Sequence, residues 1–86
     1  MLFRSSVSHD AEIADFVNVN PGAVVCGGVR IGEGCYLGAG ATVIQDVSIG
    51  AWSVVGAGAV VIRDVPPGVT VIGVPARVMG TRRGSR

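Results

Sequence analysis

Every sixth residue from Val7 onward is aliphatic: Val7, Ile13, Val19, Val25, Ile31, Leu37, Val43, Ile49, Val55 and Val61. Four places after each stands a small or medium residue: Ala11, Val17, Ala23, Val29, Cys35, Ala41, Val47, Ser53, Ala59 and Val65. An amphipathic helix needs apolar spacings of three and four, and a hairpin protein needs alternation broken by turns at uneven intervals. A strict period of six satisfies neither. It predicts one short strand and one corner per hexad, with three hexads closing a triangular coil and successive coils stacking at about 4.8 Å, the spacing of paired strands. Both columns then point into the coil. The expected architecture is an all-β parallel β-helix of hexapeptide repeats over residues 7–66, about three coils, after a lead-in over 1–6.

Gly22, Gly28, Gly34, Gly40 and Gly58 share the fourth hexad position, where a corner favours a left-handed backbone. The pattern ends at Asp64, Pro66, Pro67 and Gly68, because proline cannot donate to a strand ladder. Residues 67–86 are expected to hold a last extended segment over 69–74 and then a basic tail. A solenoid this short leaves strand edges open at both ends, so a cap or lateral association is needed.

Composition narrows the function. With 86 residues the chain is one small domain, a size that buries only roughly 60% of its unfolded surface. A chain 49% hydrophobic with 14 Gly and 15% charged residues is too apolar for disorder and too glycine-rich for a helical bundle. The net charge of +1, with Arg82, Arg83 and Arg86 gathered at the end, offers no broad basic face to a nucleic acid. No apolar run approaches the roughly 18 residues of a membrane span, and residues 1–8 lack the apolar core of a signal peptide. A cytoplasmic protein without membrane or nucleic-acid partners is expected. Cys26 and Cys35 have no histidine nearby and are read as packing residues.

The hexad columns, the paired segments Gly38-Ala39-Gly40-Ala41-Thr42-Val43 and Gly56-Ala57-Gly58-Ala59-Val60-Val61, and Gly73-Val74-Pro75-Ala76-Arg77 resemble the left-handed β-helix acyltransferases over almost the whole chain. Left-handedness is implied by that resemblance alone, since the general rule for parallel crossovers favours the other hand. Within the superfamily, the stretch from Ser8-His9-Asp10 to Phe16-Val17-Asn18-Val19 is most similar to bacterial sugar-nucleotide acetyltransferases of glycan and sialic-acid pathways. The resemblance implies a homotrimer with sites between subunits, acetyl-CoA as donor and a sugar nucleotide as acceptor. His9 is then the general base, Asp10 the acid that raises its basicity, and Asn18, Ala39 and Ala57 the donor contacts. Asn18 stands where some of these enzymes carry a second histidine; it keeps hydrogen bonding but cannot change charge. The sugar-nucleotide domain that usually precedes the histidine has no counterpart in the eight residues before His9. The chain is therefore expected to be a fragment, or to recognise its acceptor by other means.

The chemistry supports these roles on its own terms. A nucleophile attacking a thioester loses a proton as the tetrahedral intermediate forms, and a neutral imidazole, with an ordinary pKa near roughly 6.5, suits that step at neutral pH. An adjacent carboxylate can fix its tautomer. The Gly27-Gly28 corner lies one coil on from His9, where the Gly27 N–H can meet an oxyanion. Ala39 and Ala57, again one coil apart, leave a smooth corner for a pantetheine arm. Arg63 and Arg77 suit the phosphates of CoA, since a guanidinium fork matches them. Phe16 and Trp52 share a corner column and, with outward Val24, Val54 and Val60, are expected to meet a neighbouring subunit.

Amine acetylation is expected ahead of hydroxyl acetylation. The second reading is a non-catalytic trimeric module or truncated remnant, favoured by the missing acceptor domain and opposed by His9-Asp10. A metal hydratase of the γ-carbonic anhydrase type needs three histidine ligands per zinc, and His9 is the chain's one histidine, so no metal is expected.

Overall fold

A computed structural model of the chain describes residues 6–81, and Arg82, Arg83 and Arg86 lie outside the described residues. Ten two-residue strands follow one another at six-residue intervals: β1 (Ser6–Val7), β2 (Glu12–Ile13), β3 (Asn18–Val19), β4 (Val24–Val25), β5 (Arg30–Ile31), β6 (Tyr36–Leu37), β7 (Thr42–Val43), β8 (Ser48–Ile49), β9 (Val54–Val55) and β10 (Val60–Val61). They are joined by β11 (Val69–Ile72) and β12 (Arg77–Thr81). Strands three apart pair in parallel with a register of one coil, Val7 on Val25, Val25 on Val43 and Val43 on Val61. Three sheets result, β1-β4-β7-β10, β2-β5-β8 and β12-β11-β9-β6-β3, which are the three faces of a parallel β-helix.

The six-residue columns explain the core. Val25, Ile31, Leu37, Val43, Ile49, Val55 and Val61 are buried, as are Ala23, Val29, Cys35, Ala41, Val47, Ser53 and Ala59 of the second column. The two polar members of the second column are satisfied by backbone: Cys35 Sγ donates to Gly50 O (3.0 Å) and Ser53 Oγ to Pro66 O (2.7 Å). In the first coil Val7, Ala11, Val17 and Val19 are only partly covered and Ile13 is 36% exposed, while Ala23 is already buried.

The repeat tightens after β10. Val65 bridges Ile49 and β11 pairs with β9 through Val71 on Val55, offsets of 16 residues instead of 18. Val65 thus stacks beneath the first column and not beneath Val47, its partner by the count of six. Pro66 and Pro67 close this shortened corner, where a ladder N–H is not available. A further difference follows: residues 77–81, placed by sequence in the tail, form β12, which runs antiparallel to β11 with Ile72 opposite Arg77. This hairpin extends one sheet past the last coil.

Candidate functional site

The three sheets meet at three corners. The first corner comprises residues 8–11, 26–29 and 44–47, the second 14–17, 32–35 and 50–53, and the third 20–23, 38–41 and 56–59. At the second and third corners the chain passes hydrogen bonds from coil to coil: Gly34 N to Asp15 O, Trp52 N to Glu33 O, Gly40 N to Pro21 O and Gly58 N to Ala39 O, at 2.7–3.1 Å. Asp46 N to Gly27 O (3.0 Å) repeats the rung at the first corner. Each rung needs the donor residue turned toward the previous coil, and its φ is positive. That holds even for the donors Asp46 and Trp52, with φ of 63°, a conformation uncommon for any residue with a side chain, and Phe16 adopts it too (φ 64°) at the same hexad position of the first coil.

The first corner of the first coil departs from this rule. Asp10 holds the fourth hexad position without a positive φ, and the rung from Gly28 N to His9 O is missing. The Asp10 side chain takes that place. Its Oδ1 accepts from Ser8 Oγ at 2.5 Å, and it lies 3.1 Å from where a Cβ on Gly27 would stand, with Oδ2 at 3.4 Å and Ser8 Oγ at 3.6 Å. The Ser8 hydroxyl holds the Asp10 carboxyl below its ordinary value, helped by the amides of Asp10 and Gly28 and, least, by the charge of His9, against a modest opposing effect of burial. Gly27 lacks the Cβ that would crowd this carboxylate. Above the same corner Asp46 leans over Gly28, whose positive φ also disfavours a side chain, so that a Cβ there would have to displace the Asp46 carboxylate.

The structure thus brings His9, Asp10 and Gly27 together on one corner, with His9 and Asp10 exposed to solvent. Ser8, which the motif reading passed over, is part of the same cluster. Its signal was the Ser-x-Asp spacing, which lets a hydroxyl reach a carboxylate two residues on. Ala39 and Ala57 are exposed at the third corner, one directly over the other. Asn18 sits on β3, opposite Tyr36 of β6, on the outer face that leads into that corner. Arg77 is exposed on β12 and, with Arg63, Pro75 and Ala76, lines a cavity of about 270 Å³ at the end of the solenoid.

These residues do not form one site within a single chain. The first and third corners are separated by the whole β1-β4-β7-β10 face. A larger, open groove of about 530 Å³ runs over β2, β5 and β8, lined by Glu12, Arg30, Ser48 and Gly50, and receives none of the candidate residues.

The model of the bacterial transferase hexapeptide family (six repeats) matches residues 10–45 and 28–63. Among solved structures, the acetyltransferase domain of PglB from Neisseria gonorrhoeae aligns with a TM-score of 0.88 and 40% identity, over 90% of this chain and 38% of that one. Serine acetyltransferase from Brucella abortus in complex with coenzyme A gives 0.85 and 33%, over 94% and 38%. A histidine-to-alanine mutant of GDP-perosamine N-acetyl transferase from Caulobacter crescentus, in complex with CoA and GDP-perosamine, gives 0.71 and 31%, over 90% and 54%. The chain therefore spans about two fifths to half of these proteins. No curated protein sequence matches it.

Proposed function

The chain belongs to the bacterial transferase hexapeptide family, and from that premise we propose that it carries the catalytic solenoid of an acetyltransferase, moving an acetyl group from acetyl-CoA to an amino group of a sugar nucleotide. The observation that carries this reading is the division of labour between two corners. One presents His9 beside an anchored carboxylate; the other, Gly38-Ala39-Gly40 stacked on Gly56-Ala57-Gly58, is bare backbone and methyl groups along the axis. Three of the solved neighbours are complexes with CoA, and one of those also holds a nucleotide-linked sugar.

In this mechanism His9 accepts a proton from the acceptor amine as its nitrogen bonds to the thioester carbonyl carbon. The Gly27 N–H stabilises the oxyanion, Gly28 being already turned toward Asp10. Collapse breaks the carbon–sulfur bond, and the imidazolium returns its proton to the departing thiolate. Asn18, Ala39 and Ala57 hold the pantetheine arm. An arm threaded from Asn18 past Ala57 covers two coil steps, about 10 Å at roughly 4.8 Å each, toward the end of the solenoid where Arg77 lies exposed on β12. Because the base and the donor corner lie on opposite edges of the β1-β4-β7-β10 face, the first corner of one copy works with the third corner of the next. A homotrimer closed on that face satisfies every copy at once.

The test is direct: incubate the protein with acetyl-CoA and a panel of amino-sugar and hydroxyl-bearing sugar nucleotides, and follow free CoA and acetylated product by chromatography. Product from an amino-sugar nucleotide supports the reading. A panel without turnover, in a protein that also fails to bind acetyl-CoA, favours the non-catalytic module.

A further inference from the structure

We propose that the second corner is a docking surface for a basic polypeptide segment, whose arginines stack on Phe16 and Trp52 and pair with the acids beside them. The two residues are 75% and 44% exposed. They stand at the hexad position that Gly34 and Gly68 hold in the other coils of this corner, and both take its left-handed backbone, with φ of 64° and 63°. Glycine would avoid that strain, and the core does not ask for it, since neither ring is part of the core cluster. A Cβ on Gly34 would run into the Trp52 ring, so the indole lies across that glycine and it is the outer face that carries its exposure.

Charge decides what sits on these rings. All six acids of the chain, Asp10, Glu12, Asp15, Glu33, Asp46 and Asp64, are exposed on the β2-β5-β8 face or on the two corners that bound it. The other two faces and the third corner hold no acid. The cations on the acidic side are Arg30, which pairs with Glu12 at 3.7 Å, and, toward the first corner, Arg63 and His9. Asp15 directly precedes Phe16, and Glu33 directly precedes the Gly34 that carries the indole, so a carboxylate adjoins each aromatic along the chain. A guanidinium suits this pairing because its plane stacks on a ring while its fork reaches a carboxylate. A purely apolar partner would strip water from Asp15 and Glu33 without compensation.

The spacing fits an extended chain. Phe16 and Trp52 are two coils apart, about 10 Å at roughly 4.8 Å per coil, a span that three residues of extended backbone cover at roughly 3.3 Å each. The groove of about 530 Å³ over β2, β5 and β8 reaches this corner at Ala14, Gly32, Gly50 and Ala51, which leaves room for that backbone alongside the rings. The second corner also lies opposite the β1-β4-β7-β10 face, so a trimer closed on that face turns it outward.

Trp52 is the chain's one tryptophan, and its emission reports on the corner directly. The whole protein is titrated with hexa-arginine, and with hexa-glutamate as control, in wild type, in Phe16→Ser and in the double variant Asp15→Asn with Glu33→Gln. Hexa-arginine is expected to shift the emission saturably in wild type and hexa-glutamate to leave it unchanged. The double variant, which keeps side-chain shape and removes charge, should bind about tenfold more weakly or worse, and Phe16→Ser roughly threefold more weakly. No saturable shift, or the same affinity in wild type and both variants, overturns the proposal. So does a change of oligomeric state in Phe16→Ser by light scattering, which would make the corner a contact between copies of this chain. No acetyl donor or acceptor enters the titration, so its outcome is independent of the transferase reading.

Discussion

A Cβ on Gly38 would come within 2.6 Å of the Ala57 amide nitrogen one coil away, closer than any real side chain sits to a backbone. The third corner is stacked backbone on backbone, and that contact, rather than φ, is what holds residue 38 to glycine. Gly58 is the converse case: its φ is +72°, but open space surrounds its missing Cβ.

The two glycines should respond differently to the same substitution. Gly38→Ala forces coils apart and is expected to cost about 3 kcal/mol, the upper range for overpacking. Gly58→Ala meets only the left-handed backbone penalty of about 1–2 kcal/mol. Urea denaturation of both variants checks the order, and equal losses would mean that the corner yields more easily than its packing implies.

Asp10 should give the protein a measurable acid sensitivity. Its carboxyl is lowered in the folded state by Ser8 and by corner amides, so its contribution to stability is fully present above the ordinary aspartate value of about 3.9. As the pH falls below that, the unfolded chain takes up the proton first and the contribution drains away, vanishing below the lowered native value. Asp10→Asn has no such dependence. Thermal unfolding at a series of pH values should show the gap between wild type and Asp10→Asn closing as the pH falls; a constant gap contradicts the anchoring.

His9→Ala should fold and assemble as wild type while losing most transfer. Loss of a general base typically costs 10²- to 10⁴-fold, about 3–5 kcal/mol in the barrier. The side chain is exposed and takes no part in the core, so unfolding midpoints should stay within about 0.5 kcal/mol. Unchanged turnover would remove His9 from the chemistry.

The period of six made the fold readable, because each hexad spends two positions on the core and the columns repeat without a gap from Val7 to Val61. Prediction by counting breaks down once the count itself changes. Val65 falls in the second column by arithmetic, yet the short corner before Pro66 sets it beneath Ile49, and β12 forms because a strand edge was left uncovered there. Neither feature has a local signature. At the candidate site, the corner of His9, Asp10 and Gly27 was legible as a spacing of one coil. Ser8 offered only the Ser-x-Asp spacing, whose meaning depends on the turn that brings the hydroxyl back to Asp10. That Ala39 and Ala57 stand on another corner was legible as well, because their spacing from His9 is not a whole number of three-hexad coils.

The central claim is that the bare third corner is the donor half of an acetyltransferase, and calorimetric titration of the purified protein with acetyl-CoA tests it most directly, beside Ala57→Trp, which plants a bulky ring on that corner without touching the core. Saturable binding at one acetyl-CoA per chain, lost or weakened at least tenfold (about 1.4 kcal/mol) in Ala57→Trp while the unfolding midpoint is kept, is the result expected. No binding by a well-folded protein, or equal binding by both, would contradict it.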